Sequence, residues 1–267
     1  MRPRTEARNQ RATRLGTLST RQLIELMNDE DASVPYAVRA ALPAVERAVE
    51  AIVAAVATGG RLRYVGAGTS GRLGVLDASE WSPTFGVDPD LARGLIAGGD
   101  RALRESVEGA EDDAAAGERD VRAAARAGDV VAGISASGRA PYVIAGLRAA
   151  RALGARTIAI TCEPRSDLAA AAEIAIAVDV GPEVLAGSSR LKAATATKLV
   201  LNMLSTAAMI RLGRTRDDLM ADLRAVNQKL RERAVAIVAA EARVSETDAR
   251  ARLERAGWDI RRAISGP

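Results

Sequence analysis

The chain of 267 residues is long enough to bury one large core, and its net charge of +4 is mild for that length. One cysteine and no histidine exclude an internal disulfide, a zinc site built from His and Cys, and catalysis through a histidine base, so acid–base chemistry must use Asp, Glu, Lys or Tyr. Dispersed arginines and few aromatic residues disfavour nucleic-acid binding, and no apolar run approaches the roughly 20 residues that span a bilayer. With no apolar signal core at the N-terminus, these features predict a cytoplasmic protein.

The N-terminal region, residues 1–45, is predicted to form a helical arm. Residues 1–18 are polar and rich in arginine, and a short amphipathic helix is expected after Ser19. Ser33 can cap a longer helix, which is expected to end at the glycines Gly59 and Gly60.

Residues 61–80 carry the strongest local signal in the chain. An apolar run leads into a glycine-rich turn with two hydroxyl side chains, Thr69 and Ser70, and an amphipathic helix pattern then reaches Glu80. Strand, glycine turn and helix form an anion cradle, because backbone N–H groups and the positive end of the helix dipole face the ligand. Gly66, Gly68 and Gly71 also satisfy the spacing G-x-G-x-x-G of dinucleotide-binding turns, which is weak evidence by itself.

Strand and helix patterns alternate over the following hundred residues. This alternation predicts a doubly wound parallel sheet in a domain covering 46–221, with a small helical appendage at 222–267. The strands are expected at 62–65, 94–97, 129–134, 157–161 and 174–178, and the main helices at 103–126, 141–153, 188–212 and 217–242.

A second hydroxyl-rich loop follows the third predicted strand and contains Ser135, Ser137 and Gly138. Parallel sheets bind ligands at the carboxyl ends of their strands, so both loops are expected to converge on one phosphate. A dinucleotide site would also require an acidic residue at the end of the second strand, and none stands there. The pattern therefore favours a phosphate ester over a dinucleotide.

Three further charged positions are candidates for function, although the local pattern alone favours an ordinary structural or solvated charge at each. Glu80 ends the helix after the first loop, Glu111 lies in an acidic cluster, and Lys192 lies near the start of a long helix, where it could bind an anion.

Several segments together resemble the signature of the N-acetylmuramic acid 6-phosphate etherases, and the similarity runs over nearly the whole chain. They are Gly66–Glu80, Pro83–Gly86, Glu108–Asp113, Ala136–Arg139, Pro141–Ile144, Gly181–Leu185, Arg190–Ala193, Lys198–Ser205 and Ala208–Gly213. The resemblance implies a sugar-isomerase (SIS) fold with a five-stranded sheet, a homodimer with the site near the subunit interface, and no nucleic-acid or membrane partner. It also implies cleavage of the D-lactyl ether of N-acetylmuramic acid 6-phosphate, giving N-acetylglucosamine 6-phosphate and D-lactate in cell-wall sugar recycling.

The resemblance assigns catalysis to Glu80 and Glu111, with no metal or other cofactor. Eliminating the lactyl group needs a base for the C2 proton and an acid for the leaving alkoxide, which two carboxylates can supply. We favour Glu80 as the acid and Glu111 as the base. The sugar phosphate is expected to bind the substrate-binding residues of the two loops and of the long helix, namely Gly68, Thr69, Ser70, Ser135, Ser137, Gly138, Arg139 and Lys192.

Three positions depart from the family pattern. Ala140 replaces a threonine whose hydroxyl would help to hold phosphate, Ala194 replaces a glycine, and Trp81 replaces a cysteine beside Glu80 and could reshape the pocket. Three alternative functions remain open: a sugar-phosphate isomerase of the same fold, a non-catalytic sugar-phosphate sensor like the glucokinase regulatory protein, and a nicotinamide oxidoreductase.

Overall fold

The computed structural model describes residues 4–266 and contains a five-stranded parallel sheet with helices on both faces. The strands are β1 Leu62–Gly66, β2 Ala92–Ile96, β3 Val130–Ile134, β4 Arg156–Thr161 and β5 Ile174–Ala177. The helices are α1 Thr20–Asp31, α2 Val34–Ala57, α3 Gly68–Phe85, α4 Ala114–Ala124, α5 Pro141–Ala152, α6 Asp167–Ala171, α7 Lys192–Arg211, α8 Gln228–Ala242, α9 Glu246–Arg255 and α10 Ile260–Ser265.

The sheet has the strand order β2-β1-β3-β4-β5, and all neighbouring strands are parallel. The chain winds outward in one direction from β1 to β2 and in the other from β3 to β5, so the order reverses between β1 and β3. This arrangement confirms the predicted doubly wound sheet, and it creates a crevice at the carboxyl ends of β1 and β3. We call the edge at which the strands end the carboxyl edge and the opposite one the amino edge.

Two apolar cores cover the two faces of the sheet. The strands β1 and β3 are buried along their whole length, as is typical of parallel strands with helices on both sides. One face packs against α2, α3 and α7, and the other packs against α4, α5 and α6.

Helix α7 is long and apolar enough to meet the length and composition test for a membrane span, and half of it is buried inside the fold. It packs against α2 and α3, and side chains such as Val200 and Leu204 are fully covered by the first core. These contacts give α7 the position of a core helix.

The helices α8, α9 and α10 have an apolar cluster of their own, which includes Leu223, Val238, Leu253 and Ile260. At the other end of the chain, α2 runs without interruption across residue 45. The domain limits at 45/46 and 221/222 stay predictions.

Two predicted helices are wrong in extent. The predicted helix 103–126 is helical only as α4, because Gly109 adopts a left-handed conformation and Asp113 accepts a hydrogen bond from the Ala116 N–H, which starts the helix there. The predicted helix 217–242 begins at Gln228, where Asn227 caps α8, and Asp217 has a positive φ that a helix does not allow.

Candidate functional site

The first predicted loop joins β1 to α3 at the carboxyl edge of the sheet. Ala67 is the N-cap of α3 and offers no side-chain acceptor, so the first amides of the helix, at Gly68, Thr69 and Ser70, lack a side-chain cap. Gly68 has a φ of +52°. Gly71 lies so close to Gly66 that a Cβ on either residue would overlap the other. The glycines therefore hold a tight turn that presents an uncapped helix N-terminus, which attracts anions.

The second predicted loop, residues 135–140, joins β3 to α5 and is held by the neighbouring strand β4. The N–H of Ser135 donates to the Ile160 carbonyl at 3.1 Å, and the N–H of Gly138 closes a turn onto the Ser135 carbonyl at 3.0 Å. Gly138 has a φ of +65°, and a Cβ there would meet Ser166. Ser137 is half-buried, so part of this residue is exposed at this edge.

The topology of the sheet brings these two loops together. In the parallel register Gly66 lies beside Ile134, so the first loop and the second loop leave adjacent strands at the same level. They flank the point where the strand order reverses, which is where open parallel sheets bind ligands. Gly68, Thr69, Ser70, Ser135, Ser137 and Gly138 share this crevice, which we call the cradle, and Arg139 is exposed next to it.

Glu80 lies far from the cradle of its own chain. Helix α3 runs back along the sheet: Gly71 contacts Ile96 at the carboxyl end of β2, and Val75 lies against Gly94 nearer the amino end. Glu80 is twelve positions after Gly68, which places it about 18 Å further along the helix axis. It is exposed near the amino edge, in a groove between α3 and α7.

Glu111, in contrast, lies near the cradle. It belongs to a short 3-10 turn, Ala110–Asp112, which contacts α5. The side chain of Ala110 packs in the same apolar cluster as Ala140 at the start of α5, and Gly117 abuts the carbonyl of Tyr142. The exposed Glu111 is therefore at the carboxyl edge, and the two predicted catalytic carboxylates lie at opposite edges of one chain.

One turn before Glu80, Asp77 is anchored by three side-chain donors from three elements. The Tyr64 hydroxyl donates to it at 2.8 Å, the Trp81 indole N–H at 3.1 Å and the Ser205 hydroxyl at 2.9 Å. Burial raises the pKa of Asp77, the three hydrogen bonds oppose that shift, and the charge of Glu80 adds to it. Sequence reasoning assigned no role to Asp77 or Ser205, although both lie within the segments quoted for the resemblance.

Trp81, expected to reshape the pocket, is 1% exposed and packs in the first core. Only its edge, which donates to Asp77, reaches the groove. The large side chain therefore fills the interior rather than the groove.

Lys192 is buried at the start of α7 and already has a partner. Its Nζ lies 2.6 Å from Oε2 of Glu30, which also accepts hydrogen bonds from Asn9 and Arg11. Burial raises the pKa of Glu30, but the hydrogen bonds and charges of Lys192, Asn9 and Arg11 outweigh it and hold the pKa below its ordinary value. The charge of Lys192 is thus compensated within the chain, and its role in substrate binding stays a prediction.

Glu183 caps the same helix from a fully buried position. Its carboxylate accepts the N–H groups of Lys192 at 3.0 Å and Ala193 at 2.9 Å. Burial raises the pKa of Glu183, and these two N–H donors oppose the shift. Because Glu183 occupies the N-terminus of α7, this helix differs from α3, whose first amides have no such cap.

The fold and the cradle define a SIS-domain protein, the class that the resemblance implied. A family model described as the SIS domain matches residues 110–207, and one described as the glucokinase regulatory protein N-terminal SIS domain matches residues 44–151. The chain belongs to the N-acetylmuramic acid 6-phosphate etherase family.

Sequence identity to named relatives supports this family assignment. The N-acetylmuramic acid 6-phosphate etherase of Symbiobacterium thermophilum is 53% identical over 97% of this chain and 87% of its own length. The proteins of the same name from Gloeobacter violaceus and Serratia proteamaculans are 54% and 51% identical over 97% of this chain, and the matches cover 85% and 88% of their own lengths.

Solved structures of low sequence identity share the fold. A phosphoheptose isomerase from Francisella tularensis matches with a TM-score of 0.56 and 17% identity over 72% of this chain and all of its own. A structure from Bacteroides fragilis, described as a putative phosphosugar isomerase involved in capsule formation, matches with a TM-score of 0.56 and 20% identity over 75% of this chain and 95% of its own.

Proposed function

We propose that the protein cleaves the D-lactyl ether of N-acetylmuramic acid 6-phosphate by elimination and water addition, yielding N-acetylglucosamine 6-phosphate and D-lactate. The observation that carries this proposal is identity above 50%, along nearly the whole chain, to etherases that act on this ether by name. A cytoplasmic location is part of the proposal, and the single buried cysteine, Cys162, is consistent with it.

The cradle supports the binding of the 6-phosphate. The uncapped amides at the start of α3 supply N–H donors and the positive end of a helix dipole. The hydroxyls of Ser70 and Ser137 can add donors from the two adjacent loops. With the phosphate held there, the sugar carbons extend from the cradle over the carboxyl edge.

Two carboxylates perform the proton transfers in this proposal. In the ring-open sugar the C1 aldehyde acidifies the C2 proton, and Glu111, near the cradle, removes it as the base. The C3 ether oxygen leaves as D-lactate, protonated by Glu80, and water then adds at C3. Each such proton transfer contributes on the order of 10²–10⁴ to the rate.

The position of Glu80 supports a homodimer with shared sites. A separation of about 18 Å along α3 is longer than a hexose 6-phosphate reaches from the cradle of the same chain. A second copy that places its groove between α3 and α7 over this cradle would supply the missing carboxylate. The subunits of such a dimer are related by a two-fold axis, so each would complete the other's site.

The test measures D-lactate released from N-acetylmuramic acid 6-phosphate. We expect Glu80→Gln and Glu111→Gln each to reduce release by at least about 10²-fold, because each removes one proton transfer. Glu118→Gln is the matched control, since Glu118 is an exposed glutamate on α4 whose one ion pair among residues 4–266 is with Arg122. Unphosphorylated N-acetylmuramic acid should be a very poor substrate because it cannot use the cradle.

The same assay distinguishes the etherase from an isomerase and from a non-catalytic sensor. An isomerase would move the C2 proton without releasing lactate, and the sensor suggested by the glucokinase regulatory protein match would bind the sugar phosphate unchanged. Wild-type protein that binds the substrate but releases no D-lactate would contradict the proposal.

A further inference from the structure

The groove between α3 and α7 contains a cation that the chemistry described so far does not use. This groove has a volume of about 380 Å³, and Glu80 lines it from α3. Lys198, Asn202 and Thr206 line it from α7, one helical turn apart, so they form one polar face opposite Glu80.

Among the described residues that line this groove, Lys198 is the one basic side chain, and Asp77 and Glu80 are the acidic ones. The Lys198 side chain is exposed, and within residues 4–266 it has no ion pair or hydrogen bond. Asp77 already accepts hydrogen bonds from three donors. The ammonium group of Lys198 is therefore available to a ligand that reaches Glu80.

We propose that Lys198 binds the lactyl carboxylate of the substrate, with the amide of Asn202 as an additional donor. This proposal rests on the proposed function. If Glu80 protonates the ether oxygen, the lactyl carboxylate, whose carbon is two bonds from that oxygen, must lie in the same groove. Once Glu80 has given its proton to the ether oxygen, it is an anion close to the lactyl carboxylate. The two carboxylates then repel, and a cation beside them reduces that penalty.

The consequence is selection for the leaving group rather than for the sugar phosphate. N-Acetylglucosamine 6-phosphate has the same phosphate and acetamido sugar but no lactyl carboxylate, so its affinity should not depend on Lys198. The ratio of the two affinities thus isolates the contact with the carboxylate.

The experiment measures the affinities of N-acetylmuramic acid 6-phosphate and N-acetylglucosamine 6-phosphate by calorimetry, in a Glu111→Gln background that prevents turnover. We expect Lys198→Met to weaken binding of the muramic acid ester by about tenfold or more, the loss typical of one charge-assisted hydrogen bond, and to leave the glucosamine ester within about twofold. Lys198→Arg should retain most of the affinity.

The matched control is Arg211→Met, which removes an exposed cation from the same helix. Arg211 lines a different groove, between α7 and α2. It should change neither affinity. An equal loss for both ligands in Lys198→Met, or no loss for the muramic acid ester, overturns this proposal. Absence of D-lactate release by the otherwise unchanged protein contradicts the proposed function instead, and the affinity ratio still decides whether Lys198 binds the carboxylate.

Discussion

At the scale of single residues, Asp77 shows how a buried carboxylate is accommodated beside the candidate site. Its partners Tyr64, Trp81 and Ser205 come from β1, α3 and α7, so one side chain ties three elements together. Burial nevertheless dominates, and the pKa of Asp77 is raised above its ordinary value of 3.8.

The raised pKa makes stability depend on pH in a defined direction. Folded Asp77 binds its proton more tightly than the unfolded chain does, so this contribution is fully present below pH 3.8 and is lost as the pH rises through the folded pKa. In Asp77→Asn the amide oxygen can still accept hydrogen bonds from Tyr64 and Trp81, but the side chain does not titrate. This variant should therefore not lose stability at residue 77 as the pH rises. Its melting temperature relative to wild type should therefore increase from pH 4 to pH 7.

Thermal unfolding followed by circular dichroism across this range checks the prediction. Asp218→Asn, at an exposed position, serves as the control and should follow the wild-type pH profile. If Asp77→Asn gave that same profile, the carboxylate would not be the titrating group.

At the scale of elements, the ion pair between Lys192 and Glu30 joins α7 to α1 and, through Asn9 and Arg11, to the N-terminal arm. Both side chains are nearly inaccessible, with 4% and 10% of their surface exposed. Removing Lys192 leaves the nearly buried Glu30 with the more exposed Arg11 as its remaining cationic partner. Loss of one member of a buried pair is costly, whereas replacing both members is often tolerated.

We therefore expect Lys192→Met to lower the free energy of unfolding at pH 7 by at most about 3–5 kcal/mol, because Arg11 still offsets part of the Glu30 charge. Lys192→Met combined with Glu30→Gln should recover most of that loss. The pKa of Glu30 is lowered in the fold, so the stability from its charge is present above pH 4.5 and is lost as the pH falls through the folded pKa. The defect of Lys192→Met should accordingly shrink at low pH.

Urea unfolding at pH 7 and pH 4 measures both effects. The double variant also tests the predicted role of Lys192 in substrate binding. If its stability is restored while its KM for the sugar phosphate stays high, Lys192 contacts the substrate. A normal KM would make it a structural residue only.

At the scale of the whole molecule, the placement of Glu80 and Glu111 at opposite edges leads to a test of the shared site. In a two-fold dimer of this kind, one site of a mixed dimer takes Glu80 from one subunit and Glu111 from the other. Mixing inactive Glu80→Gln and Glu111→Gln proteins should therefore restore activity, to about a quarter of the wild-type level after random subunit exchange.

The measurement is D-lactate release after mild denaturation and renaturation of the mixture. Each variant treated alone is the control and should stay inactive. Recovery confined to the mixture supports sites built from two subunits. A mixture as inactive as its parents would mean that both carboxylates act within one subunit or that the chain does not form this dimer.

Most strands could be predicted from the sequence, because the signal for a buried strand is local. Buried β-branched runs bounded by turns placed β1, β3, β4 and β5 within one residue of their observed limits. The prediction for β2 was displaced, because this edge strand starts with Ala92 and the exposed Arg93, which interrupt the apolar run. The extent of the helices around Gly109 and Asn227 was wrong, because helical periodicity continued across residues that end or start a helix.

The arrangement of the functional residues, in contrast, depends on the fold as a whole. The two loops were recognised from their glycines and serines, but their convergence depends on the strand order, which places β3 beside β1. Lys192 and Glu30 are 162 positions apart in the chain, and no local sequence pattern predicts their ion pair. Glu80 and Glu111 stand 31 positions apart in the sequence, yet α3 carries one of them to the amino edge while the turn before α4 keeps the other at the carboxyl edge. Helices, strands and turns can be predicted from short stretches of sequence. Distances between side chains that are far apart in the chain depend on how these elements pack and on the order in which the chain connects them, so they emerge only from the complete fold.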